Sequence, residues 1–326
     1  MLSRRSFVVI AALSVSQASP SLLLAQDYPV RSIRLIVPFP PGGALDTYVR
    51  AVHQDLEKEL GQPVVVDNVA GAGGALGAGA LIRAKPDGYT VMAGPVQTLS
   101  INAAVNPKLT YDPVTQFVPV MQTVMVNYIL VVRPSLPIKT VAELIAYAKE
   151  RPGKLTYATS GTGSAQHMAV ALLQARSGID LLHVPYKGMG PAINDLLAGQ
   201  VDMTIADIAS LMPQVKAGKL RAIAVAGRKR SSQLPDLPTI SDTANLADYD
   251  AVAWQGIVVP VGTPASAVQR LNSAFNNVQS NPAVVARLTG MGFELVGGSP
   301  EAFRQYMAAD VGKWKKVAKD YNITAE

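Results

Sequence analysis

Apolar positions follow two rhythms that alternate along the chain. Residues 33–38 are a β-branched run, with Ile33, Leu35, Ile36 and Val37, that breaks at Phe39-Pro40-Pro41-Gly42-Gly43. Val49, Val52, Leu56 and Leu60 then recur at helical spacing, which predicts a helix from about Asp46 to Leu60, stopped by Gly61. A second strand is expected over residues 63–66. The Gly/Ala-rich residues 71–79 lead into a helix through Arg83, Pro86-Asp87-Gly88 turns the chain, and residues 90–93 are a third strand. This β-α-β-α-β order is the signature of a parallel sheet covered by helices.

The rhythm restarts at a strand over residues 128–132. Thr140 and Glu143 form a capping box that opens a helix ending at Pro152-Gly153. A strand over 155–158, a helix over 164–176 and a strand over 181–184 follow. After the loop Tyr186-Lys187-Gly188, Pro191 sits at the start of a short helix stopped by Gly199. Strands are expected over 203–205, 220–226 and 254–259, with a proline-containing connection over 228–250. The remainder reads as mostly helix, with Thr263-Pro264, Asn281-Pro282 and Ser299-Pro300 each an N-cap followed by proline at the first helical position. Two α/β units joined near residue 126, and again between about 228 and 254, predict two lobes. Because open α/β sheets bind ligands beyond the carboxyl ends of their strands, two such lobes facing each other make a cleft.

Composition narrows the function. The 326 residues are 49% hydrophobic and 16% charged, a globular balance that excludes a mostly disordered chain. There is no cysteine, so disulfides, zinc-thiolate sites, iron–sulfur clusters and cysteine nucleophiles are excluded. His53, His167 and His183 are far apart and lack metal-ligand spacing, so no metal is expected. Aromatics at 6% argue against a stacking platform for sugars or single strands. The net charge is +6, and Arg4 and Arg5 in the first 25 residues supply two of those charges. The longest basic cluster, Arg228-Lys229-Arg230, reads as a solvated loop, and no nucleic-acid partner is expected.

Those first residues read as an address. A short basic start precedes an apolar stretch over residues 7–15 that is too short to span a bilayer. Cleavage fits after Ala25, where the folded pattern soon begins, or after Ala18. Ser3-Arg4-Arg5-Ser6-Phe7 also matches a twin-arginine export signal.

Several loops could carry chemistry. Residues 38–46 link a strand end to a helix start, where free N–H groups favour an anion; a tight strand-to-helix turn is the plain alternative. Thr159-Ser160-Gly161-Thr162-Gly163-Ser164, with His167 one turn into the helix, gathers hydroxyls, glycines and helix N–H groups into a second anion cradle. Ser164 and His167 could instead be nucleophile and base of a hydrolase, although the Gly-x-Ser-x-Gly elbow and an acidic orienter are missing. Residues 71–77 fail the dinucleotide fingerprint because Leu76 stands where the third glycine belongs, leaving close helix–strand packing as the ordinary explanation. Tyr186 and Lys187 could meet an anion, with solvation of the lysine as the default. Asp207 ends a strand, where it could meet a ligand amine or water, or cap a helix.

Taken in order, Leu35-Ile36-Val37-Pro38-Phe39-Pro40-Pro41-Gly42-Gly43, Gly71-Ala72-Gly73-Gly74, Pro86-Asp87-Gly88-Tyr89-Thr90, His183-Val184-Pro185-Tyr186-Lys187-Gly188, Gly218-Lys219-Leu220-Arg221-Ala222, Leu237-Pro238-Thr239 and Gly262-Thr263-Pro264 carry a resemblance. The chain closely resembles the Bug family, the extracytoplasmic solute receptors of tripartite tricarboxylate transporters, over essentially the whole mature length. The resemblance implies a two-lobed Venus-flytrap fold of the type II periplasmic-binding-protein class, each lobe a central mostly parallel sheet flanked by helices. It implies residues 1–25 as signal peptide, 26–126 as the first part of lobe 1, 127–235 as lobe 2 and 236–326 as the return to lobe 1. It implies a monomeric periplasmic receptor, not an enzyme, that needs no cofactor, captures a dicarboxylate, amino acid or aromatic acid, and serves the membrane subunits of a tripartite tricarboxylate transporter or a signalling partner. Carried over, first-lobe contacts fall on Gly42, Gly43 and Ala44 with Gln97; second-lobe contacts fall on Ser160, Thr162, Gly163, Ser164 and His167, with Asp207 nearby. Two departures stand out. Leu45 replaces the usual hydroxyl residue before the aspartate, which favours a less polar ligand if it faces the cleft and has no consequence if it faces the core. Asn68-Val69-Ala70 replaces the usual Asn-Arg-Pro.

Overall fold

The computed structural model describes residues 28–325. The leader expected over residues 1–25, with its arginine pair and both cleavage sites, lies outside them.

The first rhythm builds one sheet. Strands β1 (Ile33–Val37), β2 (Val64–Asn68) and β3 (Thr90–Pro95) run parallel with β1 in the middle. Helix α1 (Ala44–Leu60) joins β1 to β2, starting two residues before the expected Asp46, and α2 (Ala75–Ile82) joins β2 to β3. The glycine-rich approach to α2 is a packing device: a Cβ on Gly77 would come within 2.6 Å of Pro38 Cβ, so only glycine lets the helix lie against the end of β1. A π-helical turn, Gln97–Ile101, and a short helix α3 (Asn102–Val105) follow, then β4 (Phe117–Val126). Sequence reading did not show β4. Its central six residues, Pro119–Val124, are all buried, and burial of both faces removes the alternation that marks a strand.

The second rhythm runs β5 (Tyr128–Val132), α4 (Val141–Lys149), β6 (Thr156–Thr159), α5 (Ala165–Ser177), β7 (Leu182–Pro185), α6 (Met189–Leu197), β8 (Met203–Asp207), α7 (Ile208–Lys216) and β9 (Arg221–Val225). The Thr140–Glu143 capping box forms as expected. Helix α7 was foreshadowed only by Asp207 as a possible helix cap, and its extent was not. It starts immediately after β8 and holds Pro213 inside, which masks its periodicity. The chain then adds β10 (Ala253–Pro260), α8 (Ala265–Ser280), α9 (Pro282–Gly290), β11 (Phe293–Gly297) and α10 (Pro300–Asp320). Asn281 and Ser299 cap α9 and α10 ahead of their prolines. Thr263 does not cap α8; its hydroxyl turns back to the Pro260 carbonyl at 2.8 Å, and Pro264 precedes the helix. β11 is a strand, not singled out in a remainder expected to be mostly helix.

The two sheets share one plan. Their orders are β11-β4-β10-β3-β1-β2 and β7-β6-β8-β5-β9. In the first, β1 to β4 point one way and β10 and β11 the other; in the second, only β5 is reversed. Each inner reversed strand, β10 or β5, is the one that has just arrived from the other lobe. Residues 236–252, expected with the first lobe, lie against the second sheet: Val225 N–H donates to the Pro238 carbonyl, Ala251 N–H to that of Ala226, and Tyr249 Oη to that of Ala169 at 2.9 Å. The return strand begins at Ala253, inside the crossing expected between about 228 and 254 but later than the boundary drawn at 236, because the connection is folded on β9. Helix α10 packs on β4, α3 and also α5, and an apolar cluster holding Leu130, Val170, Trp254 and Trp314 runs through both lobes. No helix among the described residues is long and apolar enough to cross a membrane.

Candidate ligand-binding cleft

A cavity of about 610 Å³ opens between the lobes where strand ends and crossing strands meet. One wall is the α1 loop, with Phe39, Gly43, Ala44 and Leu45. The other is the α5 loop, with Ser160, Thr162, Ser164 and Gln166, and the floor is built from the crossings, with Tyr128, Trp254 and Gln255. Asp207 and Gln97 also line it. Among the described residues, no lysine, arginine or histidine side chain does.

Each wall is held in its own way. In the first, Asp46 is 3% exposed and accepts from Gly42 N–H at 3.0 Å, Arg50 Nε at 2.8 Å and Asn68 Nδ2 at 3.1 Å. Burial alone would raise its pKa, but these donors hold the carboxyl below the usual carboxylate range. The fold thus turns the α1 N-terminus toward the cavity and closes the loop behind it. Leu45 belongs to the first-lobe core, being 5% exposed, and its surface also borders the cavity.

In the second wall, Ser164 caps α5 by accepting from His167 N–H at 3.3 Å. His167 Nδ1 accepts from Gly163 N–H at 3.0 Å, and the ring stacks on His183 with centroids 3.9 Å apart. His183 Nε2 is 2.7 Å from Thr159 Oγ1, which also contacts Gly161. Burial, then the charge of His183, push the His167 pKa down to about 4, and burial lowers that of His183. Both rings are therefore neutral at pH 7 and act as struts. Ser160 donates to Gln166 Oε1 at 2.8 Å.

Of the residues expected at the site, Gly43, Ala44, Gln97, Ser160, Thr162, Ser164 and Asp207 come together around the cavity. Three do not. Gly42 turns to the outer face beside Arg50, Gly163 is buried under Ala325 and Val105, and His167 lies behind the wall that it braces. Gln97 is partly spent: its Nε2 donates to Asn102 Oδ1 at 2.8 Å and across the cleft to the Gly163 carbonyl at 3.2 Å. Asp207 is the N-cap of α7, accepting from Ser210 N–H at 2.9 Å. Tyr186 donates to Asp195 at 2.8 Å, and neither it nor Lys187 lines the cavity. Sequence reading placed Phe39 in its first candidate loop without giving it a contact, and missed Tyr128, Gln166, Trp254 and Gln255. The floor residues sit at the lobe crossings and bear no local motif; their only signal was that a cleft needs a floor.

A ligand-sized cavity between two sheets of the same plan defines a two-lobed solute-binding protein. Residues 48–323 match the model of the tripartite tricarboxylate transporter family receptor, TctC, and the chain belongs to that family, one of periplasmic receptors. It is 33% identical to protein BugT of Bordetella pertussis, over 97% of each chain. Among solved structures, Rpa4515 of R. palustris with adipate is 35% identical with a TM-score of 0.80, over 91% of this chain and 99% of that one. MatC of Rhodopseudomonas palustris with bound malate is 32% identical with a TM-score of 0.76, over 89% and 99%. The chain is thus a Bug-type receptor with the two-lobed fold.

Proposed function

We propose that this receptor captures a small carboxylate in the interlobe cavity and delivers it to the membrane subunits of a tripartite tricarboxylate transporter. The observation that carries this reading is the pair of helix N-termini, α1 and α5, on facing walls of a cavity lined by no cationic side chain among the described residues. Free N–H groups and the helix dipole then supply the positive potential for an anion. Relatives with adipate and malate are of the same ligand class. The work is binding and closure, without turnover or cofactor, by a monomer of two lobes, residues 28–126 with 253–325 and residues 127–252. Export runs through the leader over residues 1–25, whose Arg4-Arg5 pair fits either the ordinary secretory or the twin-arginine route. A hydrolase using Ser164 and His167 is disfavoured, because His167 Nδ1 is taken by Gly163 N–H and Ser164 Oγ by the His167 backbone.

A thermal-shift screen of refolded protein against carboxylic acids tests the reading. An acid at about a hundred times its Kd should add roughly 2.7 kcal/mol and raise Tm visibly, while its amide is inert. No response to any acid refutes it.

A further inference from the structure

We infer that Gln255 is a specificity-determining residue of the cavity, and that its carboxamide takes a hydrogen bond from an uncharged donor on the ligand, a hydroxyl set apart from the ligand's carboxylate. The inference rests on the carboxylate-receptor reading and sharpens it.

Gln255 follows Trp254 in β10, and successive side chains of a strand point to opposite faces. Trp254 turns to α10, where its Nε1 meets Asp310, and a Cβ on Gly256 would collide with the Phe303 ring of the same helix. Gln255 therefore turns the other way, to the face where Ile257 shares a core cluster with Leu45 and Tyr48 of α1. A register shift between Gln255 and Gly256 in the pairing with β4 bends the strand at this point, and such irregularities re-aim side chains. The side chain comes to rest at the cavity floor, beside Pro95, its register partner on β3.

There it is 3% exposed, and its Oε1 has no hydrogen-bond partner. Four other buried side-chain atoms among the described residues are unpaired in the same way, on Tyr48, Ser100, Thr123 and Gln279, and none of those residues borders the cavity. The other two glutamines of the cavity are committed, Gln97 to Asn102 and Gly163, and Gln166 to Ser160. An unpaired buried acceptor is unfavourable, and one that borders a ligand cavity is accounted for by a donor on the ligand. A carboxylate cannot be that donor, because it only accepts. A hydroxyl can give its hydrogen to Oε1 and accept from Nε2 of the same amide. The charged end of the ligand then lies at the helix N-termini and the neutral donor at the floor.

Calorimetry with matched carboxylates tests this. The probes are succinate and malate, adipate and 3-hydroxyadipate, butyrate and its 2-, 3- and 4-hydroxy forms, and benzoate and its three hydroxy forms. Wild type is compared with Gln255→Met, which keeps the length of the side chain and removes the amide. In at least one pair the hydroxylated acid should bind wild type about tenfold or more tighter than its partner, and the gap should close in Gln255→Met. Without ligand, Gln255→Met should melt no lower than wild type, since an unpaired acceptor has been removed. A lower Tm assigns the amide to holding the fold and overturns the inference. So does the lack of any hydroxyl advantage while carboxylates still bind, which leaves water as the partner of Gln255. A gap that survives in Gln255→Met places the hydroxyl on another acceptor, Asp207 included, and overturns it as well. No binding by any probe refutes the carboxylate reading itself.

Discussion

The two walls of the cleft do the same job with different chemistry. Both present the N-terminus of a helix from a glycine-rich loop. The first is braced by an ionised acid, Asp46, that gathers three donors; the second is braced by neutral imidazoles, His167 and His183, stacked beneath the loop. Acid weakens both loops, but in different ranges: the neutral-held loop where imidazoles ordinarily protonate, the charge-held loop only lower, where Asp46 does. They also leave different traces in sequence, since an aspartate in the first turn of a helix is visible and a histidine stack between two elements is not.

The largest expected effect follows from that contrast. His167 titrates near 4 when folded against an ordinary value near 6.5, so between those pH values the unfolded chain binds more protons. Stability is full above pH 6.5 and falls by up to about 3 kcal/mol as pH drops toward 4, with His183 adding in the same direction. Asp46, whose pKa is lowered, loses its contribution only below the ordinary carboxylate range. Hydrogen exchange across this range should open residues 159–164 before residues 38–46, and His167→Gln should flatten the profile of Tm against pH. Simultaneous opening would break the contrast.

Asp46→Ala strips the first wall of its brace. Removing the shared acceptor leaves Gly42 N–H and Asn68 Nδ2 short of a partner, at an expected cost of about 2 kcal/mol by denaturant titration. Arg50 is largely exposed, so its ion pair adds little to that figure. The same substitution should leave the pH dependence between 4 and 6.5 unchanged.

A smaller effect separates the glycines. Gly163 has φ of +73°, and a Cβ there would come within 2.9 Å of Ala325 Cβ, so Gly163→Ala should cost about 1 kcal/mol or somewhat more and weaken ligand binding. Gly43 has φ of −78° and open space around it, so Gly43→Ala should fold with nearly wild-type stability. Equal costs at both positions would mean that the second loop is not held as tightly as its contacts imply.

Most strands and helices were legible because amphipathic helices and punctuating glycines and prolines act locally. Elements were lost where tertiary context erased the local signal: β4 by burial of both faces, α7 by its internal proline and abutting strand. The same split runs through the cleft. Gly43, Ala44, Ser160, Thr162 and Ser164 sit at helix starts that sequence announces. Gly163 and His167 were seen, but their position behind the wall depends on Ala325 and His183, distant in sequence. Tyr128, Trp254 and Gln255 were missed because the floor exists only once the chain has crossed between lobes and returned. Even Trp254 is set from afar, with its Nε1 donating to Asp310 of α10 at 3.0 Å.

A crystal structure of the receptor with the acid that most raises its Tm tests the central claim directly. The account expects the carboxylate between the N-termini of α1 and α5, accepting from backbone N–H groups around Ala44 and Ala165 and from the hydroxyls of Ser160, Thr162 or Ser164. A carboxylate bound outside this cavity, or held there by a lysine or arginine side chain, would contradict it.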